Sequence, residues 1–359
     1  MSQLFNFFRD KTVFITGHTG FKGSWLSLWL TGLGARVIGY ALDPYTPEDN
    51  FVVTGLKDML VDIRGDIRDI GRLQKVFGMY RPEIVFHLAA QPLVRLSYEQ
   101  PRDTYEINIM GTVNVLECIK HSDSVRAGVM VTSDKCYENK RQFWGYRETD
   151  RMGGYDPYSS SKGCTELLIA SYRSSFFNPE NYDTHGVGLA SARAGNVIGG
   201  GDWAKDRLVP DCMRALLKGD KILIRSPGAI RPWQHVLEPL CGYMVLAAKL
   251  YENGPEYAEA WNFGPDDEEA KPVEWIVRKI CEKWGEGSAY SIDEGMHPHE
   301  ADCLKLDCLK AKYKLDWYPK WRLEQAIDKI IEWTKALKEG SDLEEICIKQ
   351  IEEYSGALK

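Results

Sequence analysis

The sequence predicts an α/β fold built on a doubly wound parallel sheet, with a smaller mixed α/β domain attached to it. Short β-branched runs alternate with amphipathic helical patterns through the first half of the chain, which is typical of parallel sheets covered by helices on both faces. A glycine-rich turn joins the first of these runs to the first helical pattern. Beyond Ala194 the alternation gives way to loops rich in glycine, arginine and tryptophan, which indicates a second domain.

The overall composition excludes several classes of function. A net charge of -7 over 359 residues argues against nucleic acid or an anionic membrane as the main partner. The first ten residues lack the pattern of a signal peptide, and no apolar run approaches the roughly 20 residues of a membrane span. We therefore expect a soluble cytoplasmic protein. The nine cysteines show no repeating spacing, which favours reduced thiols, and no metal site is predicted.

The first predicted strand, helix and strand form a βαβ unit. Strand 12–16 ends at Gly17, the glycines repeat at Gly20 and Gly23, and a helical pattern continues to Leu33 before strand 36–42. Free backbone N–H groups at such a helix start suit a pyrophosphate, which makes this a Rossmann-type dinucleotide site. The same loop contributes its other residues to the predicted cofactor site: Thr19, Phe21 and Lys22. An ordinary tight turn is the alternative.

Asp43 follows the second strand, twenty residues after Gly23. A carboxylate there accepts hydrogen bonds from the adenine ribose and repels a 2′-phosphate, which favours NAD over NADP. The alternative is that Asp43 is only a turn residue at the end of the strand, before Pro44.

Further strands are predicted over 83–88, 127–132 and 186–192, with helices over 70–79, 105–119 and 158–174. Five small or loop residues near strand ends are expected beside the cofactor: Asp66, Ile67, Leu88, Ala89 and Ala90. The alternative is that they are ordinary loop residues without a role in binding. The alternation predicts an NAD-binding Rossmann domain over 1–194 and 236–263. Residues 195–235 and 264–359 are then assigned to the substrate-binding domain.

Tyr158 and Lys162 lie four residues apart at the start of a predicted helix. This spacing puts the phenol and the ammonium on one face. A nearby cation lowers the pKa of a tyrosine from about 10 towards neutrality, which makes a usable general base. By itself the pair is more often part of an amphipathic face.

With Gly17-x-x-Gly20-x-x-Gly23 and Tyr158-x-x-x-Lys162, the chain resembles the extended short-chain dehydrogenase/reductase family. Its other family-like segments are His87 to Ala90, Asn108-x-x-Gly111-Thr112 and Arg193 to Val197. The resemblance implies bound NAD, with Asn108, Tyr158 and Lys162 at the cofactor, and a homodimer or dimer of dimers through helices 105–119 and 158–174.

Within this family the chain is most similar to the nucleotide-sugar 4,6-dehydratases. The closer match is carried by six segments: 17–24, 40–44, 132–137, 201–203, 231–236 and 297–301. It implies CDP-D-glucose as substrate and a 4-keto-6-deoxy product, for the deoxysugars of lipopolysaccharide O-antigen. A C4 epimerase or decarboxylase on the same scaffold, and a non-catalytic NAD sensor, are the alternatives.

This resemblance also assigns roles within the reaction. Tyr158 is expected to be the base at the C4 hydroxyl. Ser133 is expected to bind the same hydroxyl, or else is only a turn cap, and Asp134 is expected to be the acid for the C6 oxygen, or else is a solvated loop carboxylate. Lys135 stands where the dTDP-sugar branch carries a glutamate as the C5 base, so it acts as a neutral base or stabilises the enolate. Arg231 is the main candidate for the substrate pyrophosphate, and the other substrate-binding candidates are Arg193, Asn196, Lys205 and His297.

Overall fold

The structure is a computed structural model that describes residues 6–285, 287–293, 295 and 304–357. Seven parallel strands form its central sheet: β1 Thr12–Thr16, β2 Arg36–Ala41, β3 Val61–Arg64, β4 Ile84–His87, β5 Ala127–Val131, β6 Gly188–Ala194 and β11 Ala260–Phe263. Their spatial order is β11-β6-β5-β4-β1-β2-β3. The predicted doubly wound parallel sheet is thus confirmed.

The two edge strands of the sheet, β3 and β11, were not among the predicted strands. β3 is four residues long, and all four are only half-buried. Two of them are Asp62 and Arg64, so the strand lacks an apolar run. β11 pairs with β6 from Ala260 opposite Ser191 to Phe263 opposite Ala194. It lies in the segment that we expected to rejoin the first domain.

Helices cover both faces of the sheet. Alternate residues of β1 point to opposite faces, because Val13 and Ile15 belong to one buried cluster and Phe14 to another. The principal helices are Phe21–Gly32, Ile70–Tyr80, Val94–Glu99, Pro101–Tyr105, Gly111–Lys120, Pro157–Ser175, Leu208–Lys218, Leu237–Tyr257, Val273–Trp284, Leu309–Leu315, Leu323–Glu339 and Leu343–Ala357. The helix predicted over 105–119 is interrupted by a π turn over Glu106–Met110.

Residues beyond the sheet form a third buried cluster that includes Val209, Ile276 and Ile327. Short strands in this region pair two by two: β7 Val197–Ile198 with β10 Gln234–His235, β8 Ile222–Ile224 with β13 Tyr290–Ile292, and β9 Ile230–Pro232 with β12 Ala270–Pro272. We keep the division at 195–235 and 264–359 as a proposal.

The last helix, Leu343–Ala357, packs against the first, Phe21–Gly32, through Tyr354 and Trp29, whose rings are 5.7 Å apart. The Tyr354 hydroxyl also donates to the fully buried carboxylate of Glu238 over 2.6 Å. Across the described ranges, each helix is too short or too polar to span a bilayer.

Candidate active site

The glycine loop lies between β1 and the helix Phe21–Gly32, and its backbone is tightly folded. Gly17 has a φ of +79°, and a Cβ atom added to it would lie 2.8 Å from the backbone nitrogen of Ala89. A Cβ atom on Gly23 would lie only 2.0 Å from the carbonyl oxygen of Gly17. The loop therefore requires glycine at both positions, and it leads into the helix start at Gly20, whose first backbone N–H groups have no side-chain cap. This cradle fits the diphosphate of a dinucleotide.

The loop adjoins the carboxyl end of β4, on the side of the sheet where a crevice is expected. Strand β1 lies between β4 and β2, so successive connections leave it in opposite directions, and such a switch point is where ligands bind. The Thr16 hydroxyl accepts hydrogen bonds from the backbone nitrogens of Leu88 at 3.1 Å and Ala89 at 3.2 Å. Leu88, Ala89 and Ala90 are half-buried at this edge.

Asp43 and the segment after β3 lie at the same end of the sheet. The Asp43 side chain is 86% exposed and its carboxylate is 3.5 Å from Nε of Arg64, so it is open to a ribose. The hydrogen bond from Arg68 holds the pKa of the Asp66 carboxyl below its usual value. Ile67 packs against Gly111, where an added Cβ atom would lie 2.4 Å from its side chain.

Asn108 is buried in the π turn and links three segments. Its amide oxygen accepts from the backbone nitrogen of Gln91 over 2.8 Å, and its nitrogen donates to the Ser161 hydroxyl over 2.8 Å. Asn108 therefore fixes the catalytic helix, Pro157–Ser175, relative to the loop after β4. The contact between Asn108 and the cofactor remains a prediction.

Tyr158 and Lys162 lie one turn apart and are both buried. The helix start is fixed by Asp156, whose side chain accepts from the backbone nitrogen of Ser159 over 2.8 Å. Burial raises the pKa of Tyr158 to about 12, against the opposing effects of a hydrogen bond with Ser133 and the charge of Arg207. Lys162 is not among the largest influences on the tyrosine, so the protein's own groups leave the phenol protonated at neutral pH.

Ser133, Asp134 and Lys135 follow β5 and approach Tyr158. The Ser133 hydroxyl donates to Oδ1 of Asp134 over 3.0 Å, and Nζ of Lys135 is 6.0 Å from the centre of the Tyr158 ring. Among the described residues, no hydrogen-bond partner reaches the buried Oδ2 of Asp134. It packs against Gly195, where a Cβ atom would lie 1.9 Å from it. The structure thus brings together all five predicted catalytic residues.

The predicted substrate-binding residues are more dispersed. Arg193 is inside the fold, where it forms an ion pair of 2.7 Å with Glu166. Asn196 has a positive φ of 48° and its carbonyl accepts from Gln234 over 3.2 Å. Lys205 is exposed, and Arg231 lies on β9 with a guanidinium nitrogen 3.0 Å from the carbonyl of Ile230. His297 lies outside the described residues.

Arg207 was not predicted, yet it reaches the catalytic group. It forms a 3.0 Å ion pair with Asp202 and acts electrostatically on both Tyr158 and Lys22. Burial, together with the charges of Arg207 and Lys162, lowers the pKa of Lys22 to about 8. Cations from the glycine-loop helix, the catalytic helix and the segment before helix Leu208–Lys218 therefore lie close enough to act on one another. The only signal in the sequence was the position of Arg207, two residues after Lys205 and directly before that helix.

Comparisons with known proteins agree with this geometry. The sequence profile of the GDP-mannose 4,6 dehydratase family matches residues 14–253. The CDP-glucose 4,6-dehydratase of Salmonella typhimurium is 55% identical over 98% of this chain and 98% of its own length. Among solved structures, dTDP-glucose 4,6-dehydratase from Bacillus anthracis in complex with NAD has a TM-score of 0.75 and 21% identity, covering 92% of this chain and 98% of that one. UDP-glucose 4-epimerase from Thermotoga maritima with UDP-glucose has a TM-score of 0.71 and 23% identity, covering 91% and 99%.

Proposed function

The chain belongs to the GDP-mannose 4,6-dehydratase family, and from this premise we propose that it is an NAD-dependent CDP-D-glucose 4,6-dehydratase. It converts CDP-D-glucose into CDP-4-keto-6-deoxy-D-glucose and water. The observation that carries the proposal is the identity of 55% over nearly the whole chain to a relative of that activity. The cluster of Ser133, Asp134 and Lys135 beside Tyr158 supports it, because a C4 epimerase needs no acid at C6.

NAD is held in this proposal by the glycine loop and by the carboxyl ends of the neighbouring strands. The Gly17 to Gly23 backbone binds the diphosphate, and Asp43 accepts from the adenine ribose. Asp66 and Ile67 flank the adenine, while Ala89 and Ala90 leave room for the rest of the molecule. The other residues proposed to contact NAD are Thr19, Phe21, Lys22, Leu88 and Asn108.

The first step is removal of the C4 hydroxyl proton by Tyr158. When bound, NAD would supply a hydride acceptor for C4 and a hydride donor for C6, and the positive charge of its oxidised ring would favour the phenolate form of Tyr158. Ser133 donates to the same oxygen and orients it. The resulting C4 ketone acidifies the C5 proton, so elimination becomes feasible only after oxidation.

Elimination then requires a base at C5 and an acid at C6. Asp134 supplies the proton to the departing C6 oxygen, and among the described residues its Oδ2 has no hydrogen-bond partner that would compete for this role. Lys135, whose Nζ is 6.0 Å from the centre of the Tyr158 ring, takes the C5 proton as a neutral amine or stabilises the enolate.

Cations at the cleft hold the substrate diphosphate. Arg231 and Arg207 are the main candidates because a guanidinium matches phosphate oxygens, with Lys205, Asn196 and His297 as helpers. Arg193 contributes indirectly, through the ion pair that it forms with Glu166.

We also propose a homodimer, or a dimer of dimers, in the cytoplasm, working in deoxysugar synthesis for lipopolysaccharide O-antigen. Large apolar side chains are exposed on or beside the helices expected at the interface: Met110 at 50%, Leu167 at 62% and Phe176 at 45%. Pairing of these faces between two copies removes them from water.

A product assay tests the proposed function. The purified chain with NAD is incubated separately with CDP-, dTDP-, UDP- and GDP-glucose, and products are identified by mass spectrometry and NMR. We expect a 4-keto-6-deoxy sugar from CDP-glucose and its loss in Tyr158→Phe. CDP-galactose as the product would establish an epimerase instead, and a Tyr158→Phe variant with turnover close to wild type would overturn the site assignment.

A further inference from the structure

Glu166 lies one turn beyond Lys162 on the catalytic helix, and the reaction proposed above does not use it. Residues four apart share a face of a helix, and Glu166 is buried, with 4% exposure. Both carboxylate oxygens accept hydrogen bonds. Oε1 accepts a hydrogen bond from the Thr132 hydroxyl. Oε2 accepts two hydrogen bonds of 2.7 Å, one from the Ser191 hydroxyl and one from the Arg193 guanidinium.

These bonds join Glu166 to the two strands that lead into the active site. Thr132 directly precedes Ser133, and Ser191 and Arg193 belong to β6. The Arg193 guanidinium also donates to the Tyr137 hydroxyl over 2.6 Å. A carboxylate held at this many points occupies one fixed position.

The charged and titratable groups that face Lys162 come from four elements. Burial lowers the pKa of His87 on β4 to about 3, so it is neutral. Burial raises the pKa of the Cys136 thiol well above its usual value, so this group is neutral too. Lys22, on the glycine-loop helix, is a second cation. Among these groups in the described part of the chain, Glu166 is the anion.

We propose that Glu166 is a positioning residue that keeps Lys162 in its cationic form, and the proposal rests on the function proposed above. Burial lowers the pKa of Lys162 to about 8, and the Glu166 charge is the largest influence that opposes this fall. Arg193 in turn keeps Glu166 ionised, since its charge and hydrogen bond lower the pKa of that carboxyl despite its burial. The ion pair between Arg193 and Glu166 thereby stabilises the positive charge of Lys162, one helical turn away.

The test is the pH dependence of C4 oxidation, measured as NADH formation in a single turnover. An opposite charge nearby shifts a pKa by about 1–3 units. Glu166→Gln should therefore move the alkaline limb of the rate profile down by about one pH unit or more. The matched control is Glu238→Gln, because Glu238 is also a buried glutamate that accepts from backbone nitrogens and a tyrosine. It should change Tm without moving the limb.

Glu166→Gln leaves the Arg193 charge buried and unpaired, which is strongly destabilising. The double variant Glu166→Gln with Arg193→Met removes both charges, and it should show the same shift of the limb if the single variant does not fold. A lowered Tm with an unchanged limb in whichever of these variants folds would overturn the proposal. This failure is separate from failure of the proposed function, which is tested with wild-type protein by the absence of a 4-keto-6-deoxy product from CDP-glucose.

Discussion

Substitution of Gly23 by alanine adds a single methyl group to the glycine loop. It should show whether this loop binds the cofactor diphosphate or only packs the start of the helix. A Cβ atom at Gly23 would lie 2.0 Å from the carbonyl oxygen of Gly17, whereas real Cβ atoms essentially never come within 3.0 Å of a heavy atom outside their own residue and its chain neighbours. The loop in Gly23→Ala must therefore move by about 1 Å, and a displacement of about 1 Å in a binding site can cost about 100-fold. We expect NAD affinity to fall by about that factor, which corresponds to about 2.7 kcal/mol.

Isothermal titration calorimetry with NAD measures this loss directly, and Gly32→Ala is the control. Gly32 ends the same helix, and a Cβ atom there would meet nothing within 4 Å. That variant should bind NAD as wild type does. If Gly23→Ala binds NAD within threefold of wild type, or if both variants lose affinity equally, the glycine loop is not the diphosphate cradle.

Three further outcomes are expected. Lys135→Met should still oxidise C4 but stall before loss of the C6 hydroxyl, and unchanged exchange of the C5 proton with solvent deuterium would rule out the base role. His87 is buried between Thr16 and Thr112 with its pKa lowered to about 3. The unfolded chain therefore binds a proton below about pH 6.5 that the folded chain does not, and stability falls as the pH drops from 6.5 towards 3. His87→Gln should lose about 2 kcal/mol less between pH 7 and pH 5 than wild type in urea unfolding, and equal losses would contradict this account. Leu167→Arg should give monomers in light scattering after gel filtration, while an unchanged dimer would place the interface elsewhere.

Strands buried on both faces were predictable because they appear as continuous apolar runs, as in β1 and β5. β3 was not, since an edge strand with two charged residues resembles a loop in sequence. The Gly17 and Tyr158 motifs were recognisable from spacing because the chemistry requires their local geometry. Glu166 and Arg207 carried no such signal, since the groups that they act on come together only in the folded chain.

The electrostatics of Tyr158 show a second limit of sequence reasoning. The spacing to Lys162 predicted a lowered pKa, whereas burial raises it to about 12 in the folded protein. Desolvation depends on every neighbour that excludes water, and no local pattern encodes it. In the proposed reaction the tyrosine can therefore act as a base only with a further positive charge next to it.

The π turn at Glu106–Met110 sets which face of the following helix, Gly111–Lys120, is turned towards the core. One residue of a regular α-helix corresponds to about 100° of rotation. Shortening this turn by one residue would swing Leu116 and Ile119 out of the buried cluster to which they belong and turn their polar neighbours inward. Insertions and deletions in this turn should therefore be poorly tolerated, because each one rotates the buried face of the helix Gly111–Lys120 away from the core.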